Sequence, residues 1–115
     1  MSDAKKKTRQ RFRDEVFRRA TYHCQGPGCS VTSTPERAVE DLDAHHITDR
    51  NEMPGGGYVP ENGIALCRRP GGCHEKAEVF HATGTALPGW APADLYRIIG
   101  SSHDRAVRAS EKLVS

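Results

Sequence analysis

The segment Asp43-Ala44-His45-His46-Ile47 organises this sequence. Polar and apolar residues alternate imperfectly over positions 41–47, which predicts a β-strand. Successive side chains of a strand point to opposite faces. His45 and His46 can therefore do different work, one binding a metal ion while the other acts as a base. The short apolar segment Gly63-Ile64-Ala65-Leu66-Cys67 predicts a second strand that returns antiparallel to the first.

Two pairs of cysteines flank these strands, Cys24 with Cys29 and Cys67 with Cys73. The turn inside each pair contains glycine and proline, and two such turns can present four thiolates to a tetrahedral Zn²⁺ ion. Because the basic N-terminus is not followed by the apolar segment of a secretory signal, we expect a structural zinc site. Two disulfides or free buried thiols are the alternatives. Zinc binds small domains with an apparent free energy of roughly 10–16 kcal/mol, so the ion would largely define the folded state.

Helices are predicted on both sides of the strands. Apolar side chains recur at helical spacing over residues 8–21, with Thr8 as the N-cap, and over residues 73–82. The C-terminal segment 91–114 is predicted to form two further helices. Ser101 is the favoured N-cap of the last helix, and Ser102 is the alternative.

Charge is distributed unevenly along the chain. Residues 1–20 contain eight Lys or Arg against three acidic residues, whereas residues 21–115 contain nine against twelve. We expect a disordered basic tail over residues 1–7 and a single domain over residues 8–115. A basic arm on a mildly acidic body favours a polyanionic partner, and a merely solubilising tail is the alternative. No stretch approaches the roughly 18 apolar residues of a membrane span, so we expect a cytoplasmic protein without membrane contact.

Three separated motifs carry a family resemblance. Asp-Ala-His-His-Ile at 43–47, Asn-Gly-Ile-Ala-Leu-Cys at 62–67 and Cys-His-x-x-x-Glu at 73–78 resemble the HNH endonuclease family, and in particular its subgroup clamped by four cysteines. The resemblance covers about residues 22–82. It implies an α+β protein with a small ββα-metal core, stapled by a four-cysteine zinc site and flanked by N- and C-terminal helices.

The resemblance also implies a role for each motif residue. His46 corresponds to the general base that deprotonates the attacking water, and His45 to the first ligand of the catalytic metal ion. Asn62 corresponds to the asparagine that ties down the loop and helps to orient the base, and His74 to the residue that completes the metal site. Glu78 stands where many members have another histidine. It is a candidate oxygen ligand for Mg²⁺ or Mn²⁺, with a solvated surface glutamate as the alternative.

The implied activity is metal-dependent hydrolysis of DNA phosphodiester bonds, leaving 5′-phosphate and 3′-hydroxyl ends. Nothing in the sequence resembles a base-reading module, so we expect DNA to be bound mainly through its phosphates. Phage or bacterial proteins of DNA packaging, defence or mobility are the expected context and partners. The rival interpretation is a catalytically silent zinc module that binds nucleic acid or protein. Candidate phosphate contacts are Arg18, Arg19, Arg68 and Arg69; His23, His81 and His103 are expected to be structural or surface residues.

Overall fold

The computed structural model describes residues 3–114, which form an α+β fold with five α-helices and one two-stranded antiparallel sheet. In chain order the elements are α1 (Asp3–Arg19), α2 (Ala38–Asp41), β1 (Leu42–His46), β2 (Gly63–Cys67), α3 (Cys73–Thr83), α4 (Pro92–Ile98) and α5 (His103–Glu111). Both strands and α3 lie within one residue of their predicted boundaries.

The hairpin of β1 and β2 forms the centre of the fold. Its register pairs Leu42 with Cys67 and His46 with Gly63. Every residue of β2 is buried, because α1 packs against the hairpin on one face and α3 on the other. A side chain at Gly63 would place its Cβ 2.5 Å from the Cγ2 atom of Val16, so the glycine permits the close approach of α1.

Helix α1 begins at Asp3, five residues before the predicted start. It buries Phe12, Val16 and Phe17 in the core. Thr8 lies inside the helix and donates its hydroxyl to the carbonyl of Ala4 at 2.9 Å, so it is not the N-cap. The prediction of a disordered tail is therefore wrong for residues 3–7, and residues 1 and 2 lie outside the described part of the chain. Lysine is a good helix former, and an acidic residue in the first turn complements the helix dipole.

The C-terminal helices are anchored to the loop before β2. Ser102, rather than Ser101, is the N-cap of α5, because its hydroxyl accepts the N–H of Arg105 at 3.1 Å. The Ser101 hydroxyl instead donates to the carbonyl of Glu61 at 2.9 Å. Ser101 thus joins α5 to the hairpin, and this tertiary contact explains why the favoured cap was the wrong serine.

The loop between the strands is folded into short helical turns. It contains three short 3₁₀ turns, at Arg50–Glu52, Pro54–Gly57 and Pro60–Asn62. Gly57 has a φ of +66°, and a Cβ there would lie 2.7 Å from Nδ2 of Asn62. Glycine at this position therefore allows both the left-handed backbone and the approach of the asparagine side chain.

Across residues 3–114, every helix is too short or too polar to cross a lipid bilayer.

Candidate metal centres and active site

The four cysteines come together at one end of the hairpin. Cys24 and Cys29 flank a turn before α2, Cys67 ends β2, and Cys73 begins α3. Their sulfur atoms all lie within 4.8 Å of one another, and none is in a disulfide. Tetrahedral zinc with Zn–S bonds of about 2.3 Å needs sulfur atoms a little under 4 Å apart. The cluster could therefore hold a zinc ion.

The backbone around the cysteines favours thiolates. The Sγ atom of Cys24 accepts the N–H groups of Gly26 at 3.4 Å and Cys67 at 3.2 Å, and Cys67 Sγ accepts the N–H of Cys73 at 3.4 Å. Burial nevertheless raises the pKa of Cys24 to about 11, and burial together with the neighbouring sulfur atoms also raises the pKa of Cys73. Four adjacent thiolates need a cation, so metal binding here would release protons.

A second cluster lies where β1 meets α3. His45 Nδ1 and His74 Nε2 each lie 3.2 Å from the same Oε1 atom of Glu78. The three ligand atoms lie within 4.8 Å of one another. His74 and Glu78 share a face of α3 because they are four residues apart. The fold thus brings together the two predicted histidine ligands and Glu78, the candidate oxygen ligand.

The charge states of this cluster suit a divalent cation. His45 is only 2% exposed, and burial lowers its pKa. The hydrogen bond from His45 holds the pKa of Glu78 well below its usual range. Near neutral pH the site therefore presents a neutral imidazole and a carboxylate. Asp43 Oδ2 adds a further oxygen, 3.0 Å from His74 Nε2. Two imidazole nitrogens and a carboxylate oxygen form a donor set that could hold a divalent metal ion.

His46 lies on the opposite face of β1, beneath α1. Its ring stacks on Phe12 at a centroid distance of 4.7 Å and meets the ring of Tyr58 edge-on at 4.6 Å. Burial, with a smaller contribution from His45, lowers the pKa of His46 to about 4. Its Nε2 atom is buried and has no hydrogen-bond partner among residues 3–114. A buried nitrogen of this kind fits a site that a water molecule or a substrate completes.

A groove of about 460 Å³ lies beside His46. Its lining includes Tyr58 and Asp43. Asp43 in turn contacts His74, so this residue belongs both to the groove and to the surroundings of the second cluster. The two histidines of β1 therefore point to different faces, and Asp43 lies next to both of their surroundings.

Asn62 ties the loop between the strands to the end of β1. The side chain is fully buried and makes four hydrogen bonds. Its Oδ1 atom accepts the N–H of Thr48 at 3.0 Å and the hydroxyl of Tyr96 at 2.7 Å. Its Nδ2 atom donates to the carbonyls of Thr48 at 3.1 Å and Gly57 at 3.3 Å. The asparagine thus fixes the backbone just after His46, and any effect on His46 passes through that backbone.

Sequence reasoning missed Tyr96 at this site and expected His81 to be a structural or surface residue. Tyr96 on α4 completes the hydrogen bonds of Asn62, although 34 positions separate them. His81 on α3 lies with Nε2 3.0 Å from the carbonyl oxygen of His46, and its ring centroid is 5.1 Å from that of His45. The available signal was the position of His81 three residues after Glu78, which places it on the metal-facing side of α3.

The predicted phosphate contacts divide into different classes. Arg19 donates to the carbonyls of Pro60, at 2.7 Å, and Gly63, and burial lowers the pKa of its guanidinium. Arg19 is therefore a structural residue that holds α1 to the hairpin. Arg68 donates to the carbonyl of Val39 at 2.8 Å but also lines the groove beside His46.

Comparison of the chain with protein-family models, with curated proteins and with solved structures found no match. Function must therefore be inferred from the side chains that the fold brings together.

Proposed function

We propose that this protein is a metal-dependent endonuclease of the HNH type that hydrolyses phosphodiester bonds of DNA. In this proposal β1, β2 and α3 form a ββα-metal core, and the four cysteines hold a structural zinc. The observation that carries it is the coincidence, on one hairpin and one helix, of a cation-binding cluster with a buried, neutral histidine that lacks a partner.

His45, His74 and Glu78 would hold the catalytic ion, Mg²⁺ or Mn²⁺. When bound, such an ion stabilises negative charge on the scissile phosphate and on the leaving oxygen. The carboxylate oxygens of Glu78 and Asp43 are the donors that these two ions prefer, and the two imidazole nitrogens would complete the site. The thiolate cluster is chemically different, because four sulfur ligands suit a structural zinc ion.

His46 would accept the proton of the attacking water. Its low pKa keeps the ring neutral near pH 7, but a base with a pKa of about 4 is weak. Burial and His45 are the larger causes of this low pKa and Arg50 is a smaller one, so a DNA phosphate near Arg50 would offset only a small part of it. The substrate would therefore raise the basicity of His46 only slightly on binding. The expected products carry 5′-phosphate and 3′-hydroxyl ends.

A cytoplasmic location is part of the proposal. Thiolates that bind zinc persist in a reducing compartment, whereas closely spaced cysteines in an oxidising one tend to form disulfides. The four cysteines are arranged as a cluster with backbone N–H donors around it, which favours the zinc-bound form.

Plasmid cleavage tests the proposal. Zinc-loaded protein should nick or cut supercoiled DNA when Mg²⁺ or Mn²⁺ is added, and His46→Ala should lower the rate by roughly 10²–10⁴-fold. His103→Ala, which changes an exposed histidine of α5, is the matched control and should cleave normally. Melting temperature and zinc content would show that both variants are folded.

Two outcomes would contradict the assignment. Equal cleavage by wild type and His46→Ala would remove the base from the mechanism. Failure of folded, zinc-loaded wild type to cleave DNA with any divalent ion would favour the catalytically silent zinc module.

A further inference from the structure

We infer that one face of α1, together with Arg50 and Arg68, forms a cationic track that binds the phosphate backbone of double-stranded DNA and leads it across His46. The inference rests on the proposed nuclease function for the identity of the polyanion. It assigns binding to particular residues of an ordered helix, and it keeps Arg68 from the four arginines that sequence reasoning named as candidate phosphate contacts.

The groove beside His46 has strongly unbalanced charge. Its lining includes three cations of α1, Lys6, Arg9 and Arg13, and a fourth, Arg68, from the turn after β2. Asp43 is the one acidic side chain among the described residues that line it. Because Asp43 also contacts a histidine of the metal cluster, it marks the catalytic end of the groove rather than neutralising its length.

A second cavity continues the track on the other side of Tyr58. It has a volume of about 570 Å³, and its lining includes Lys5, Arg9 and Arg50. No acidic side chain is among the described residues that line it. The guanidinium of Arg9 lies 5.4 Å from the centre of the Tyr58 ring, and Arg50 donates to the Tyr58 hydroxyl at 3.3 Å. One aromatic residue thus holds two guanidinium groups next to the base.

The opposite surface of α1 differs in charge. There three basic residues, Lys7, Arg11 and Arg18, line a surface that also contains Asp14 and Glu15. Three cations against two acidic residues leave a small positive excess on that surface, whereas the groove beside His46 has four cations against one acidic residue. The cationic excess is therefore larger on the side of α1 that borders His46.

The spacing of the α1 cations fits a nucleic-acid strand. Lys6, Arg9 and Arg13 lie three and four residues apart and so share one helix face. At 1.5 Å per residue, they span about 10 Å of helix axis. Phosphates of one DNA strand advance by about 3.4 Å per step, so the row covers roughly three of them. Arginine can also bind phosphate through two parallel N–H bonds.

An anionic membrane is a poorer fit to the same charges. A membrane-surface helix inserts its apolar face among the lipids. In α1 the apolar residues Phe12, Val16 and Phe17 are buried against the hairpin. The cationic face therefore needs a partner that is recognised by its charge alone.

Two matched double variants test the track. Lys6→Gln/Arg13→Gln and Lys7→Gln/Arg11→Gln each remove one lysine and one arginine from α1, on opposite sides of the helix. Binding to a 5′-labelled duplex of about 20 base pairs would be measured by fluorescence anisotropy at several salt concentrations. Both pairs would be placed in zinc-loaded His46→Ala protein without added divalent ions, so that no cleavage occurs.

The two variants should behave differently. Loss of two phosphate contacts should reduce the slope of log K against log salt by about 1.8, at roughly 0.9 per contact. The Lys7→Gln/Arg11→Gln control should change the slope by less than half of that. Equal changes in both variants would overturn the track, and tighter binding of an RNA duplex than of the DNA duplex would overturn its assignment to DNA. Displacement of DNA by polyglutamate at equal charge concentration would instead indicate an acidic protein partner and would also overturn it.

Arg50→Gln provides a check outside α1. Should Lys6→Gln/Arg13→Gln fail to fold, judged by melting temperature, this single variant should still reduce the slope by about 0.9. An unchanged slope would refute the track. Failure of the track and failure of the nuclease proposal remain distinguishable. A wild type that cleaves plasmid while both double variants bind alike refutes only the track, and one that binds through the track but never cleaves refutes only the nuclease.

Discussion

Replacing Asn62 by alanine should destabilise the protein by about 3–5 kcal/mol. The substitution removes four hydrogen bonds from a fully buried position. It leaves the N–H and carbonyl of Thr48, the carbonyl of Gly57 and the hydroxyl of Tyr96 without their asparagine partner. Each buried group without a partner costs about 1–3 kcal/mol. The Tyr96 hydroxyl keeps Thr48 Oγ1 at 2.7 Å, so three groups lose their partner. Near the lower end of the range per group, these three cost about 3–5 kcal/mol together.

Asn62→Asp keeps the shape of the side chain but replaces its hydrogen-bond donor by an acceptor. One carboxylate oxygen can still accept from Thr48 N–H and from the Tyr96 hydroxyl. The other faces the carbonyls of Thr48 and Gly57, which accept from Nδ2 in the wild type. Burial and these carbonyls should raise the carboxyl pKa above its ordinary value of about 3.9. The unfolded chain then loses its proton first. Relative to wild type at the same pH, the variant should therefore lose stability as the pH rises above about 4.

Urea unfolding of zinc-loaded protein at a fixed zinc concentration would measure both effects. Asn51→Ala, in an exposed position of the same loop, is the control and should change stability by less than about 0.5 kcal/mol. Because wild-type domains are stable by only about 5–15 kcal/mol, Asn62→Ala should lose cleavage together with its fold on warming. A variant within about 1 kcal/mol of wild type that had nevertheless lost cleavage would refute the loop-anchoring role.

Three further predictions concern the metal sites and the base. Removing zinc with a chelator should unfold the hairpin and α3. Rebinding one zinc ion per chain should release protons, and calorimetry in buffers of different ionisation enthalpy would detect this release. Glu78→Gln should weaken Mn²⁺ binding about tenfold or more in an electron paramagnetic resonance titration while zinc content stays constant; unchanged affinity would exclude Glu78 as a ligand. Because the pKa of His46 is about 4 and the protonated ring is inactive, kcat/KM should be level with respect to this group from pH 8 to pH 6 and fall only below about pH 5. A midpoint near 6.5 would contradict the burial of the ring.

The hairpin was predictable because its signals are local. An apolar run between turn residues defines β2, and Cys73 marks the start of α3. The start of α1 was not predictable from the same kind of signal. Three consecutive lysines resemble a solvated tail, and their helical state depends on the burial of Phe12 and Val16 further along the chain. Local propensity is weak compared with such tertiary packing.

In the candidate site, too, the residues placed by local periodicity were predictable and those placed by tertiary packing were not. Periodicity alone places Asp43 beside His45 on one strand face and Glu78 beside His74 on one helix face. Sequence reasoning therefore named all three residues of the metal cluster, with Glu78 as a candidate ligand. It could not find Tyr96, whose contact with the loop depends on how α4 docks.

In the proposed nuclease, the packing of α1 over His46 would have two opposing effects on catalysis. Phe12 helps to bury the ring, which lowers its pKa, whereas phosphate held by the cations of the same helix would raise that pKa. Deleting the first turns of α1 would weaken DNA binding without exposing the His46 ring. Disrupting Phe12 would both weaken DNA binding and expose that ring. A truncation that removed the whole helix would therefore mix a gain in basicity with a loss of binding. Point changes on the two faces of α1 avoid this mixture, because Lys6 and Arg13 can lose their charge while Phe12 stays against His46.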